Sequence, residues 1–355
     1  MDAPLFRTRS VVKKAIRSSQ LVSFLSISFF LILATTANAV DDSAVDQAIV
    51  NALKFIASKQ IPNGSWEAEP GNESTAVTSL AVMAFLAAGH VPNEGPYGRA
   101  IDRGISFVVN HQDSTGMLVT KRGHGPMYDH GISTLMLAEV IGMTEQGQAA
   151  QTRKALERAV RLILQAQKIR KPPNESGGWR YQHTSHDSDL SVTAWQLLAL
   201  RAAKDIGCDV PVESIDRAVA YVKKCSDKRG FGYQPGQGSR SSMTASGILA
   251  LQVCGHHEDK EVAVGIEFLK RQPLRFEDGW FFYGVYYNAI STYKFGGEDW
   301  LQTKANLFDE LLKHQDPAGS WQAHNNELVQ GPVYAASLSV LALTVEYGYL
   351  PIYQR

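Results

Sequence analysis

The residues of this chain that could do chemistry gather at the starts of small-residue helical stretches. Tyr128, Asp129 and His130 stand together; His186, Asp187 and Asp189 form a second group; Tyr283, Tyr286, Tyr287, Asn288 and Tyr334 add an aromatic set, with Arg240 between. Carboxylates beside histidines can move protons, and phenol rings can wall an apolar ligand. Each group also has a structural reading. Asp189 can cap a helix with Asp187 solvated beside it, because a side-chain oxygen there satisfies free N–H groups and a negative charge suits the helix N-terminus. The tyrosines can pack between helices and send their hydroxyls to backbone or water. Asp129 with His130 is the nearest approach to the paired groups that sugar hydrolysis needs. Cys254 beside His256 and His257 lacks the spacing of a four-ligand zinc site and directly precedes a helix-stop glycine, so it reads as a buried structural cysteine. No metal or other cofactor is expected.

The elements that must position these residues recur along the chain. Second helices end on Gly89, Gly142, Gly255, Gly296 and Gly348, with Ala203 filling the place in the third unit. Glycine stops a helix there because a left-handed cap costs it no Cβ clash. The same distance back from each terminator lie Thr75, Tyr128, Asp189, Ser241, Phe282 and Tyr334, a column of helix starts. First helices end in Gln60, Gln112, Gln167, Gln272 and Gln315, and most are followed by a Gly-aromatic turn carrying Trp66, Trp179, Phe231, Trp280 or Trp321. Six units result, approximately 44–89, 99–142, 149–207, 213–255, 258–296 and 300–348. First helices carry charges such as Asp102, Arg158 and Lys223; second helices, such as Ser191–Leu200, are apolar nearly all round and therefore buried. That asymmetry predicts an outer and an inner layer. With no polar capping unit at either end, closure into a ring is expected, an all-α (α/α)6 toroid forming one domain over residues 40–355. The turn tryptophans are expected to wedge between neighbouring units.

Residues 1–39 read as a secretory signal peptide: Arg7, Arg9, Lys13, Lys14 and Arg17, then an apolar run from Leu21 to Ala34, then Ala37-Asn38-Ala39. The run is short of the ~20 apolar residues that a membrane span needs. Export to a periplasmic or extracellular location follows, and no transmembrane span is expected in the mature chain. Lys plus Arg and Asp plus Glu balance at 35 each; removing residues 1–39 takes five basic residues and one acidic residue and leaves 30 against 34. A mildly acidic chain without a basic run is a poor nucleic-acid binder. Cys208, Cys225 and Cys254 permit one disulfide at most.

Phe55-Ile56, Gln60 and Gly64-Ser65-Trp66 resemble the QW repeat of squalene-hopene and other triterpene cyclases, as does Gln315-Asp316-Pro317-Ala318-Gly319-Ser320-Trp321. Gly230-Phe231-Gly232-Tyr233-Gln234-Pro235-Gly236 is similar to a repeat of protein prenyltransferase β-subunits. The resemblance covers residues 44–350 and implies a double ring of helices around an apolar cavity, with inner-helix N-termini converging on one rim. It implies an isoprenoid or triterpenoid ligand, aromatic faces being able to stabilise passing carbocations. It also implies a cyclase or mutase-like reaction begun by a carboxylic acid held protonated in a dry pocket. Matching Thr193-Ala194 to the cyclases' Thr-Ala puts Asp189 on the first Asp of their motif and Ser191 on the proton donor. Sliding the register to use Asp187 and Asp189 restores two acids but loses the last Asp. Asp187 and Asp189 are therefore the catalytic candidates, and Tyr128, Asp129, His130, His186, Trp195, Arg240, Tyr283, Tyr286, Tyr287 and Tyr334 the ligand-binding candidates. The zinc ligands of the prenyltransferases have no counterpart around Ser241–Met243 or Val333–Ala335. The competing expectation is a non-catalytic exported scaffold that binds a protein or glycan through its loop face, with the lumen packed shut and an apolar patch exposed on one face. N-terminal sequencing of the secreted protein is expected to begin at Val40; a start at Met1 would make residues 1–39 a retained anchor.

Overall fold

A computed structural model describes residues 41–121, 125–144 and 146–354. The proposed leader, residues 1–39, lies outside the described residues. Six helices form the outer layer: α1 (Asp42–Ser58), α3 (Gly98–Asn110), α5 (Gln146–Gln167), α7 (Val212–Lys224), α9 (Lys260–Arg271) and α11 (Gly297–His314). Alternating with them, α2 (Thr75–Ala87), α4 (Pro126–Val140), α6 (Leu190–Asp205), α8 (Ser241–Gln252), α10 (Phe281–Phe295) and α12 (Gly331–Leu343) form the inner layer. Each inner helix packs on the inner helix before and after it, and α12 packs on α2, so the inner ring closes. A short antiparallel hairpin, β1 (Trp66–Glu69) and β2 (Asn72–Ser74), leads into α2.

The outer helices have one apolar stripe, and their buried residues recur at helical spacing, as Ile101, Ile105 and Val108 do on α3. On the inner helices burial is nearly continuous: twelve of the thirteen residues of α2 are buried, and so are twelve of thirteen on α12. The six inner helices therefore face neighbours in every direction and supply the core.

A repeated side-chain staple couples the units. Gln60 Nε2 donates to its own turn at Gly64 O (2.9 Å) and to the next outer helix at Ala100 O (2.8 Å). Gln112 does the same to Gly116 O and Ala155 O, and Gln167 to Gly177 O and Ser214 O. Gln315 bonds Gly319 O (3.1 Å) and Ala48 O (2.8 Å), so the last outer helix is tied to the first and the outer ring closes through the same device. The turn approaches the next helix so closely that a Cβ on Gly319 would lie 2.4 Å from Asn51 O, and its φ of 91° is left-handed, so glycine is required twice over. The aromatic after the turn is buried: Trp66, Trp179 and Trp321 each donate Nε1 to a carbonyl of the preceding outer helix (Ile56, Ile163 and Leu311).

Two expectations are corrected. The third inner helix runs past Ala203 to Asp205 and stops at Gly207, whose φ is 80°. Trp280 does not wedge between units: it is 44% exposed and itself adopts a left-handed conformation, while Gln272 makes no staple bond among the described residues. The connection between α9 and α10 is irregular, and within it Phe276 packs between His314 (4.0 Å between ring centres) and Phe281 (5.3 Å). The three cysteines are unpaired, two of them buried.

Trp66→Ala and Trp321→Ala are expected to destabilise the fold by roughly 3–5 kcal/mol each, the cost of an aromatic-sized core cavity. Trp280→Ala is expected to change stability by less than about 0.5 kcal/mol. Urea unfolding of the three variants checks the contrast.

Candidate functional site

Inner-helix N-termini converge on one rim of the ring, and each presents N–H groups with no intrahelical partner. The carboxylates of the rim are engaged by them. Asp189 caps its own helix, Oδ1 accepting from Val192 N (2.8 Å) and Ser191 Oγ (2.9 Å), while Oδ2 lies 3.4 Å from Arg180. Asp129, half-buried, reaches across to α2, where Oδ1 accepts from Ser74 Oγ (3.2 Å), Thr75 Oγ1 (3.3 Å) and Ala76 N (3.4 Å). Glu327, buried in the 3-10 turn Asn325–Gln330, reaches back to α10 and accepts from Phe282 N (3.0 Å), Tyr283 N (2.9 Å) and the Tyr334 hydroxyl (3.0 Å). The phenylalanine in the helix-start column cannot cap, and Glu327 does so for it.

Arg180 organises the side of the rim around Asp189. Its guanidinium lies 4.6 Å from the Tyr181 ring centre and 5.4 Å from that of Tyr233, and it pairs with Asp187 at 3.2 Å. The Tyr181 and Tyr233 hydroxyls bond to each other, and Tyr128 bonds Ser191. Burial raises the Asp189 carboxyl to about 6 against the pull of its N–H, hydroxyl and Arg180 partners, leaving it mostly ionised at neutral pH. Both its oxygens are engaged and it has no solvent exposure. That environment suits a cap and ion-pair partner better than a proton donor.

The other candidates divide. Tyr128, Tyr283 and Tyr334 come together at the mouth with Tyr287 just beneath them, close enough to act on one another electrostatically; burial holds all four phenols above their ordinary range and therefore neutral. His130 is elsewhere, between the layers: Nδ1 accepts from Leu118 N (3.2 Å), Nε2 faces Ala159 O on α5 (3.2 Å), and burial lowers its pKa to about 4. It is a neutral structural imidazole, which removes the Asp129 and His130 pair. His186 is exposed on the loop, with Nδ1 on Arg170 O, and Arg240 is exposed at the start of α8. Asn288 points between α10 and the outer helices α9 and α11, beside a void of about 10 Å³.

Below the mouth the ring is filled. Trp195 of α6 stacks on Tyr286 of α10 with ring centres 5.1 Å apart, and Tyr287 meets both edge-on at 5.4 and 4.8 Å. Tyr286 and Tyr287 have no solvent exposure and Trp195 has 2%. From the opposite end Tyr353 enters and donates to the Tyr286 hydroxyl (2.9 Å). Glu139, the one carboxylate within α4 beyond its first turn, is 4% exposed there. Burial first, and then the charge of Asp205, push its carboxyl up to about 8 against a bond from Ile352 N at 3.5 Å. The C-terminal end of α4 adds a negative partial charge in the same direction. Glu139 is thus neutral at pH 7, the protonation state that sequence reasoning sought at Asp189. Its signal was available: it stands eleven residues, three helical turns, after Tyr128 and so shares its face.

The sequence profile described as the prenyltransferase alpha-alpha toroid domain matches residues 21–123 and 103–284, and the chain belongs to that family. No curated protein matches it significantly. Among solved structures, the type II terpene cyclase MstE from Scytonema is 14% identical, with 87% of this chain covering all of that one at a TM-score of 0.55. A variant of the same cyclase holding geranylgeranyl dihydroxybenzoate aligns over 85% of this chain and 98% of its own, with 14% identity and a TM-score of 0.54. An inactive α-1,6-mannanase of Salegentibacter sp. HEL1_6, in complex with α-1,6-mannotriose, is 10% identical and covers 84% of this chain and 99% of its own, with a TM-score of 0.60. The fold is therefore shared with terpene cyclases and with glycosidases alike.

Glu139 makes stability depend on pH in a definite direction. Its folded pKa of about 8 exceeds the ordinary value of 4.5, so the folded state binds the extra proton and stability falls as pH rises through that interval. The full effect is on the order of 3–5 kcal/mol. Glu139→Gln, which keeps a neutral side chain at every pH, is expected to match the parent near pH 5 and exceed it in urea unfolding at pH 8.

Proposed function

We propose that the protein is a binding toroid which engages its partner, a protein or a glycan, through the rim at the inner-helix N-termini. The observation that carries this reading is the filled ring: Trp195, Tyr286 and Tyr287 pack on one another, Tyr353 packs on Tyr286, and all four are at most 2% exposed, which argues against an enclosed polyprenyl chain. Rim carboxylates engaged by helix ends argue the same way, since they hold structure rather than face a substrate. Apolar side chains meanwhile stand uncovered at the rim. Trp280 is 44% exposed, Leu328 60% and Val329 56%, and the latter two lie on the turn whose Glu327 holds the start of α10. With the leader-like residues 1–39, we place this activity outside the cytoplasm.

A second reading keeps an isoprenoid or triterpenoid as ligand, with cyclase-like chemistry in the ring. The family and the MstE complex favour it, together with a wall of four tyrosines and a tryptophan and carboxyls raised at Asp189 and Glu139. It requires the aromatic stack to open. Native mass spectrometry of the secreted protein, with organic extraction, separates the two. A clean apo mass that is unchanged by squalene is expected; a stoichiometric isoprenoid released on extraction would overturn the first reading in favour of the second.

A further inference from the structure

The ring is not filled by its own helices alone. After α12 the chain passes through a 3-10 turn (Val345–Tyr347), reverses at Gly348 (φ 65°) and runs beneath the ring as Tyr349–Gln354. Leu350, Ile352 and Tyr353 are 1%, 6% and 2% exposed, although this segment holds no more regular structure than the three-residue turn Pro351–Tyr353. Its polar fastenings are few. Tyr353 donates to Tyr286, Ile352 N points at Glu139 Oε2, Lys294 Nζ donates to Gln354 O (2.7 Å), and Gln354 bonds back to Gly348 O. The inner helices around it each pack on two neighbouring inner helices, so the segment is the part that can leave without breaking the ring.

We propose that the end of the toroid opposite the rim is a second binding site, for a neutral apolar molecule with a single alcohol group, and that the C-terminal segment occupies it as an intramolecular stand-in. The segment supplies what such a ligand would supply: three apolar side chains and one hydroxyl, the latter on Tyr286. The walls that its departure would bare include the Tyr286 ring and hydroxyl, with Trp195 stacked behind that ring, and the Glu139 carboxyl. Apolar burial takes the body, and two hydrogen-bonding groups take the alcohol. An anion is disfavoured, because the free carbonyls and negative ends of the inner helices face this side of the ring. The site does not depend on the rim or on what the rim binds.

The test uses all-trans-retinol, an apolar isoprenoid alcohol with its own fluorescence, titrated into the full chain and into a chain truncated after Tyr349. Truncation is expected to tighten retinol binding at least tenfold, and retinoate is expected to bind the truncated chain at least tenfold more weakly than retinol does. In the full chain, saturating retinol is expected to speed amide exchange in residues 350–354. A truncated chain that keeps its circular dichroism and gains no affinity overturns the proposal, and equal binding of retinoate overturns the assigned polarity. Should truncation unfold the chain, Tyr353→Ala in the full-length protein decides: a folded variant must bind retinol more tightly than the parent, and one that does not sinks the idea.

Discussion

Six inner helices point the same way, and that alignment governs the chemistry at both ends of the ring. Free N–H groups and the positive ends of the helix dipoles meet at one rim, free carbonyls and the negative ends at the other. At the first rim the carboxyl groups of Asp129, Asp189 and Glu327 are each held by three donors, and Asp189 stays mostly ionised at neutral pH although burial raises it to about 6. At the second rim the same group has little to stabilise its charge, and Glu139 keeps its proton to about pH 8. Asp189 and Glu139, both buried, are therefore in opposite protonation states at neutral pH at the two ends of one ring.

The staple and the closure are two views of one geometric demand. An outer helix must be held at a fixed distance from the next one round the ring, and Gln with its turn glycine does this by bonding both strands of chain at once. Where a glutamine is absent, Cys225 stands at the end of α7; Gly232 N bonds its carbonyl within the same turn, and Phe231 fills the tryptophan place. Where the glutamine is present but its turn is irregular, as at Gln272, the tryptophan comes out to solvent.

Much of this was legible in the sequence because it was repeated. Five glycine terminators, five glutamines and an apolar contrast between alternate helices set the toroid and its two layers, since each signal is local and recurs. The site was less legible. The helix-start column and the residues beside it placed Tyr128, Tyr283 and Tyr334 near one rim, but they could not tell inward from outward, and a step or two along a helix turns His130 toward α5 and Asn288 toward α9. Glu327 carried no signal, because it lies in an irregular segment and acts on the helix of the preceding unit. Asp189 was read by its neighbours in sequence, and the bonds from Val192 N and Ser191 do lower its pKa, but burial, which only the packed ring supplies, outweighs them and Arg180.

Closure has a consequence for how the chain can be made. The bond from Gln315 to Ala48 spans 267 residues, and α12 packs against both α1 and α2. An open solenoid can add units one at a time as they leave the ribosome, each resting on the last. Here α1 and α2 have no partner on one side until the sixth unit arrives, so an emerging chain carries an uncovered apolar flank through most of its synthesis. Such a chain commits to its native state late, after its final inner helix, and a ring has no free end from which to fray afterwards.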